Sequence, residues 1–154
     1  MLDLLAALPP ATWLQQSGTA YLVVNAAHIV FIGVLIGSIA ALDLRLLGAG
    51  TSLPLESAGP YLSRLAAVGL GLALLTGLWL FSVQPHEYVT NPAFLAKMVI
   101  VALGVLNALF LHGRQGWRLS LSAGTATPAI RLQAALSLVV WVAAVLAGRW
   151  IAFV

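Results

Sequence analysis

The chain has no cysteine and very little charge. Without thiols there are no disulfides, iron–sulfur clusters, thiolate metal sites or covalently attached c-type haem. Of 154 residues only 7 are basic and 4 acidic. A soluble domain needs a charged surface, so a water-exposed globule is excluded. The six arginines are scattered over the ends of apolar runs and do not cluster on one face, which excludes a nucleic-acid footprint. No HExxH, glycine-rich phosphate loop, Ser–His–Asp set or paired-carboxylate site is present.

What is present is apolar. Hydrophobic residues make up 62% of the chain and the mean hydropathy is +1.04. Four apolar stretches, at residues 19–47, 61–83, 93–113 and 129–152, can each cross a hydrocarbon core ~30 Å thick as a helix. The runs are continuous and not alternating, which favours helices over a β-barrel. Short connections make consecutive spans antiparallel neighbours. The expectation is an all-α integral membrane protein, a four-helix up-down-up-down bundle forming a single domain over 1–154 in contact with the lipid bilayer.

Local signals refine the boundaries. Ser17-Gly18 precedes the first span, and Gly48 is its expected C-terminal stop. Thr90-Asn91-Pro92 is a helix start, with Asn91 capping and Pro92 at the first helical position. Thr127-Pro128 repeats that signal. Residues 2–16, with Pro9-Pro10 in the middle and Trp13 near the end, read as interfacial segments too short to span. The start lacks a basic region, so no cleaved signal peptide is expected. Arg45, Arg64, Arg114, Arg118 and Arg131 flank the first and third connections, against Lys97 and Arg149 on the other side. By the positive-inside rule both termini face outward, periplasmic in a bacterial inner membrane.

The polar residues inside the spans carry any chemistry. His28 lies about ten residues into the first span, and ionisable groups at such depth are functional hypotheses. Tyr21, Asn25, His28, Ile32 and Leu35 share one helical face. Gly33 and Gly37 lie on the opposite face, a small-residue seam for packing inside the bundle or between protomers. His28 is either a hydrogen-bonding core residue or a haem or metal ligand through a neutral imidazole nitrogen. Lys97, the single lysine, either reaches the headgroups or pairs with a carboxylate such as a haem propionate. Met98 is a soft ligand or packing. His86, in the outer connection, is on the same side as His28 and Lys97 and is a further ligand candidate for haem or metal. His112, at the other end of the third span, sits too far in depth from His28 to share one haem with it. Asp43 cannot face Arg45, two residues on, and is expected to pair with Arg64, Arg114 or Arg118. Asn107 is expected to form an interhelical hydrogen bond.

Two segments resemble a known group. ATWLQQSGTAYLVVNAAHIVFIGVLIGSIAALDLRLLG resembles the first span of a group of uncharacterised bacterial four-span membrane proteins marked by a histidine, glycines and DLRLLG. TGLWLFSVQPHEYVTNPAFLAKMVIVALGVLN resembles that group's second signature, in which an NPxF turn is followed by a lysine, a glycine and an asparagine. The group is similar in layout to HemJ-type membrane protoporphyrinogen oxidases, which bind haem b, and to copper-resistance D-type membrane domains. The resemblance implies His28 as haem or copper ligand with Lys97 as its partner, and Asp43, Arg45 and Gly48 as signature residues.

Three functions follow as expectations. The first is a haem b protein in electron transfer or oxidoreduction, with His28 as axial ligand and Lys97, Met98, His86 or a homodimer's second His28 on the other side. A quinone or periplasmic protein would be its redox partner. The second is a copper or other metal carrier using His28, His86 and Met98. The third is a non-catalytic membrane assembly subunit.

Overall fold

A computed structural model describes residues 2–153, the side chain of Ala152 excepted. The described residues contain helices and no strand. In chain order these are α1 (Leu2–Ala6), α2 (Pro9–Gln16), α3 (Gly18–Leu47), α4 (Leu55–Phe81), α5 (Pro85–Thr90), α6 (Pro92–Gly113), α7 (Gln115–Ala123) and α8 (Pro128–Trp150), followed by a 3-10 turn, Ile151–Phe153. By length and composition α3, α4, α6 and α8 can each cross a membrane, with mean hydropathies of 1.8 to 2.3. The chain is therefore a multi-pass membrane protein.

The helix ends are set by the residues read from sequence. The Ser17 hydroxyl accepts a hydrogen bond from the Ala20 amide and caps α3. Gly48 closes α3 in the left-handed region, φ 106°, which suits a residue without a Cβ. The Asn91 side chain accepts from the amides of Ala93 and Phe94 at 2.9 and 3.1 Å, directly before Pro92. Asn91→Ala is expected to destabilise the protein by about 1 kcal/mol while Asn91→Asp keeps the cap. Unfolding midpoints of the two variants, followed by circular dichroism in detergent, check this. Thr127 caps α8 through the Ile130 amide.

Other boundaries differ from the sequence reading. α4 begins at Leu55, ahead of the expected residue 61, and runs through Pro60. Gly59, which has no Cβ to clash with the proline ring, lets the helix continue. The second connection contains α5 and the third contains α7. α7 is short and amphipathic and turns Trp117 and Ser120 inward. α2 lies against the end of the bundle that carries both termini. There the Trp79 indole donates to the Pro10 carbonyl at 2.9 Å, Trp13 stacks on Trp79, and Leu14 buries against Ala20, Val24 and Leu80.

Close contacts fix the register. Gly69 of α4 lies on the α3 backbone, where an added Cβ would stand 2.8 Å from the Leu35 nitrogen, and Gly77 lies against His28. α3 and α4 therefore run antiparallel. On the other pair, Gly104 of α6 takes the Trp141 ring and Gly148 of α8 lies against Lys97, so α6 and α8 are also antiparallel. α3 packs on α8 through Leu35, Trp141 and Ala144, the centre of the middle core layer. A third layer at the far end from the termini joins Leu42, Leu46, Leu55, Leu111, Trp117, Ile130 and Ala134.

The pairing order is α4–α3–α8–α6. α4 and α6 are consecutive spans and were expected to be neighbours, but their backbones stay apart. They meet through side chains at both ends. Phe81 stacks on Phe94 with 5.8 Å between centroids at one end, and the Ser63 hydroxyl meets His112 Nε2 at 2.9 Å at the other. α5 and α7, inserted in the connections, separate the two helices and fill the corners.

Candidate functional site

His28 is half-buried on α3 and faces α4. Its Nδ1 lies 2.9 Å from the Thr76 hydroxyl. That hydroxyl has one proton, and it donates it to the Leu72 carbonyl of its own helix at 2.8 Å. With its proton so engaged, the oxygen is an acceptor for His28, the arrangement in which Nδ1 carries the ring proton. The Ala73 carbonyl also borders the ring. No side chain among the described residues hydrogen-bonds Nε2. A hydrogen bond at one imidazole nitrogen that frees the other is the arrangement that orients a histidine ligand. Gly77 completes the cradle: a Cβ there would stand 3.0 Å from Cε1.

The surroundings are aromatic on one side and cationic on another. One turn beyond Gly77 on α4 and one turn before Lys97 on α6, Phe81, Tyr88 and Phe94 pack together with centroids 5.2 to 5.9 Å apart. Tyr21, on the His28 face of α3, hydrogen-bonds Tyr88. Burial, reinforced by Tyr21 and then Glu87, pushes the Tyr88 phenol above its ordinary value. Lys97 lies within electrostatic reach of the His28 ring. Its ammonium rests against α8, 3.5 Å from where a Gly148 Cβ would be, and it makes no ion pair among the described residues. Gly104, two turns beyond Lys97 on α6, leaves no open groove there, since the Trp141 ring lies against it.

The other candidate ligands are placed elsewhere. His86 is exposed on α5 and its Nε2 meets the Asp3 carboxylate at 2.8 Å, tying α5 to α1. Met98 is 39% exposed on the outside of the bundle. His112 has both nitrogens engaged, Nδ1 donating to the Ala108 carbonyl and Nε2 on Ser63, with its ring against Trp117. No group of three or more histidine or acidic side chains that could hold a metal exists among the described residues.

The signature residues at the far end divide. Arg45 is buried and turns back to its own loop, its Nε donating to the Leu53 carbonyl at 2.7 Å and its guanidinium reaching the Gly124 carbonyl at 3.3 Å. Asp43 was expected to pair with Arg64, Arg114 or Arg118. It is instead 2% exposed between α3 and α8, and its side-chain partner is the Ser137 hydroxyl. The three arginines are exposed, and the rotation of α3 that buries Leu42 and Leu46 carries Asp43 towards α8 instead. Asn107 does bridge helices: its amide donates to the Gln133 carbonyl and Gln133 Nε2 donates back to the Asn107 carbonyl at 3.0 Å. Gly33 and Gly37 are exposed, with nothing within 4 Å of an added Cβ, so the seam does not pack inside the bundle. Two open hollows of about 430 and 400 Å³ lie towards this end, lined by groups including Arg118 and Gln133, and neither reaches His28.

Residues 14–154 match a family of unknown function (DUF6644). The chain belongs to this family. No curated protein and no solved structure matches it. In this chain the sequence singled out His28 and Lys97 as candidates and passed over Thr76, Gly77 and Gln133. Thr76 and Gly77 stand in the quoted TG signature, and the available signal was a hydroxyl one helix away at the depth of the histidine.

Proposed function

We propose that this protein is a haem b-binding membrane protein with an electron-transfer or oxidoreductase role, and that His28 is the axial ligand through Nε2. One observation carries the reading: the Thr76 hydroxyl, itself donating to Leu72, meets His28 at Nδ1 and holds the half-buried ring so that Nε2 can serve as the ligand. The residues present fit the group at one axial position. Gly77 keeps the flank of the ring clear, and the Lys97 ammonium, without an acidic partner among the described residues, suits a propionate. A haem would supply a one-electron couple. The chain's own part is to orient the imidazole through Thr76 and to offer the Lys97 cation. α4 and α6 do not pack backbone to backbone, and a flat ligand entering between them beside His28 would displace the Phe81–Phe94 stack. The absence of a three-ligand cluster among the described residues gives the copper reading less support.

The test is the absorption spectrum of protein purified in mild detergent from haem-replete cells. A Soret band is expected in the wild type, lost in His28→Ala and restored to that variant by imidazole. A colourless wild type, or a band unchanged in His28→Ala, overturns the assignment. Copper found by elemental analysis in a colourless preparation would favour the metal-carrier reading, and co-purification in a larger cofactor-free complex the assembly role.

A further inference from the structure

At the opposite end of α3 from His28, one buried carboxyl group has no cation to answer it. Asp43 is 2% exposed, and its Oδ2 has no hydrogen-bond partner. Ser137 hydrogen-bonds the carboxyl, and one turn along the same face of α8 is Gln133, whose Oε1 is also buried without a partner. Gln133 cannot turn its amide over to donate instead. Its Nε2 is held by the Asn107 carbonyl at 3.0 Å, and a reversed amide would set two carbonyl oxygens face to face. None of the charged or titratable groups on the surrounding helices bonds Asp43, although Arg114 lines an open hollow together with Gln133. Arg45 is bound to Leu53 and Gly124, His112 to Ala108 and Ser63, and Arg64, Arg114, Arg118 and Arg131 are exposed.

Asp43 Oδ2 and Gln133 Oε1 are both buried acceptors without a donor, and Ser137, which bonds the Asp43 carboxyl group, stands one turn from Gln133 on α8. An ionised carboxylate in this position would leave a buried charge uncompensated, which costs several kcal/mol. Metal ions that take oxygen ligands need about six of them, and the site offers two unsatisfied side-chain oxygens among the described residues. A single proton satisfies both. We propose that Asp43, with Ser137 and Gln133, is a proton-binding site: the carboxyl group is neutral in the folded protein at neutral pH, carries an exchangeable proton on Oδ2, and directs it towards Gln133 Oε1. The site stands about one turn from the end of α3, next to α7, and is independent of any cofactor at His28.

Infrared difference spectroscopy on the full-length protein in detergent tests this. The wild type at pH 7 should show the carbonyl stretch of a protonated carboxylic acid, shifted down within minutes in D2O. Asp43→Asn should remove the band and remain folded, since its amide can donate to Gln133. Gln133→Leu should keep the band and move it to higher frequency as the hydrogen bond is lost. Only ionised carboxylate bands at pH 7 would overturn the proposal. So would a protonated band that never exchanges, which marks a fixed structural proton. A band that appears only when sodium is replaced by choline would show sodium as the occupant and overturn it equally.

Discussion

Gly69→Ala is expected to lower the stability of the bundle by about 3 kcal/mol, the upper end of what overpacking costs. The added Cβ would meet three atoms of the α3 backbone, at 2.8, 3.1 and 3.2 Å from Leu35 N, Leu35 Cα and Phe31 O. A side chain in that place could rotate aside; a helix backbone cannot. The two helices would have to move apart along the most extensive contact in the molecule, loosening Leu35 from Trp141 and Ala144 in the middle layer. Alanine's better helix propensity returns only about 1 kcal/mol. Gly33→Ala, Gly37→Ala and Gly71→Ala meet nothing within 4 Å and should leave stability within about 0.5 kcal/mol of wild type, or raise it slightly. The unfolding free energy of each variant in mixed detergent and SDS separates the cases. Equal behaviour of Gly69→Ala and Gly33→Ala would show that α3 and α4 do not cross at Gly69.

That comparison also shows where the sequence stops being readable. The spans, the caps at Ser17, Asn91 and Thr127 and the stop at Gly48 were legible because each depends on local chemistry: a run of apolar residues, a side chain that accepts from a free amide, a residue that tolerates positive φ. The choice of buried face was not. α3 is apolar all round, and a helix with no polar side gives no rotational signal. Helical arithmetic grouped Gly33 with Gly37 correctly, yet both look away from the bundle, while Gly69 and Gly104, on other spans, make the close crossings. The same ambiguity misdirected Asp43. Its depth matched three arginines, but rotation decides partners, and rotation takes it to Ser137. α5 and α7 were hidden for another reason: short helices in polar connections owe their existence to packing, as Trp117 does against Leu55 and Leu111. At the His28 site the ligand-type residue was visible, and the groups that orient it were not, since Thr76 and Gly77 act only through a neighbour on another helix.

Those two residues give the second large effect. In Thr76→Val the hydroxyl that accepts from Nδ1 is replaced by a methyl of similar shape, so packing is kept and the ring proton loses its anchor. Loss of such an orienting partner typically costs roughly 10–100-fold in ligand affinity, and Thr76→Ser should recover most of it. Gly77→Val acts by volume instead. Its Cβ would stand 3.0 Å from Cε1, 3.6 Å from Nδ1 and 3.8 Å from Nε2, with further methyls beyond. The obstructing group is a side chain with two rotatable bonds, not a backbone, so the ring swings away and the fold survives, unlike the outcome at Gly69. The two routes converge on one readout that needs no cofactor. Nitrogen-15 shifts of labelled histidine in the wild type should show His28 as the Nδ1-protonated tautomer. Thr76→Val and Gly77→Val should each convert that signal to a tautomer mixture, while His112, held by Ala108 and Ser63, stays unchanged. If haem is bound, its retention during gel filtration should fall in the same order as the tautomer signal. A wild-type His28 protonated on Nε2 would refute the ligand geometry, because the nitrogen assigned to the iron would already be occupied.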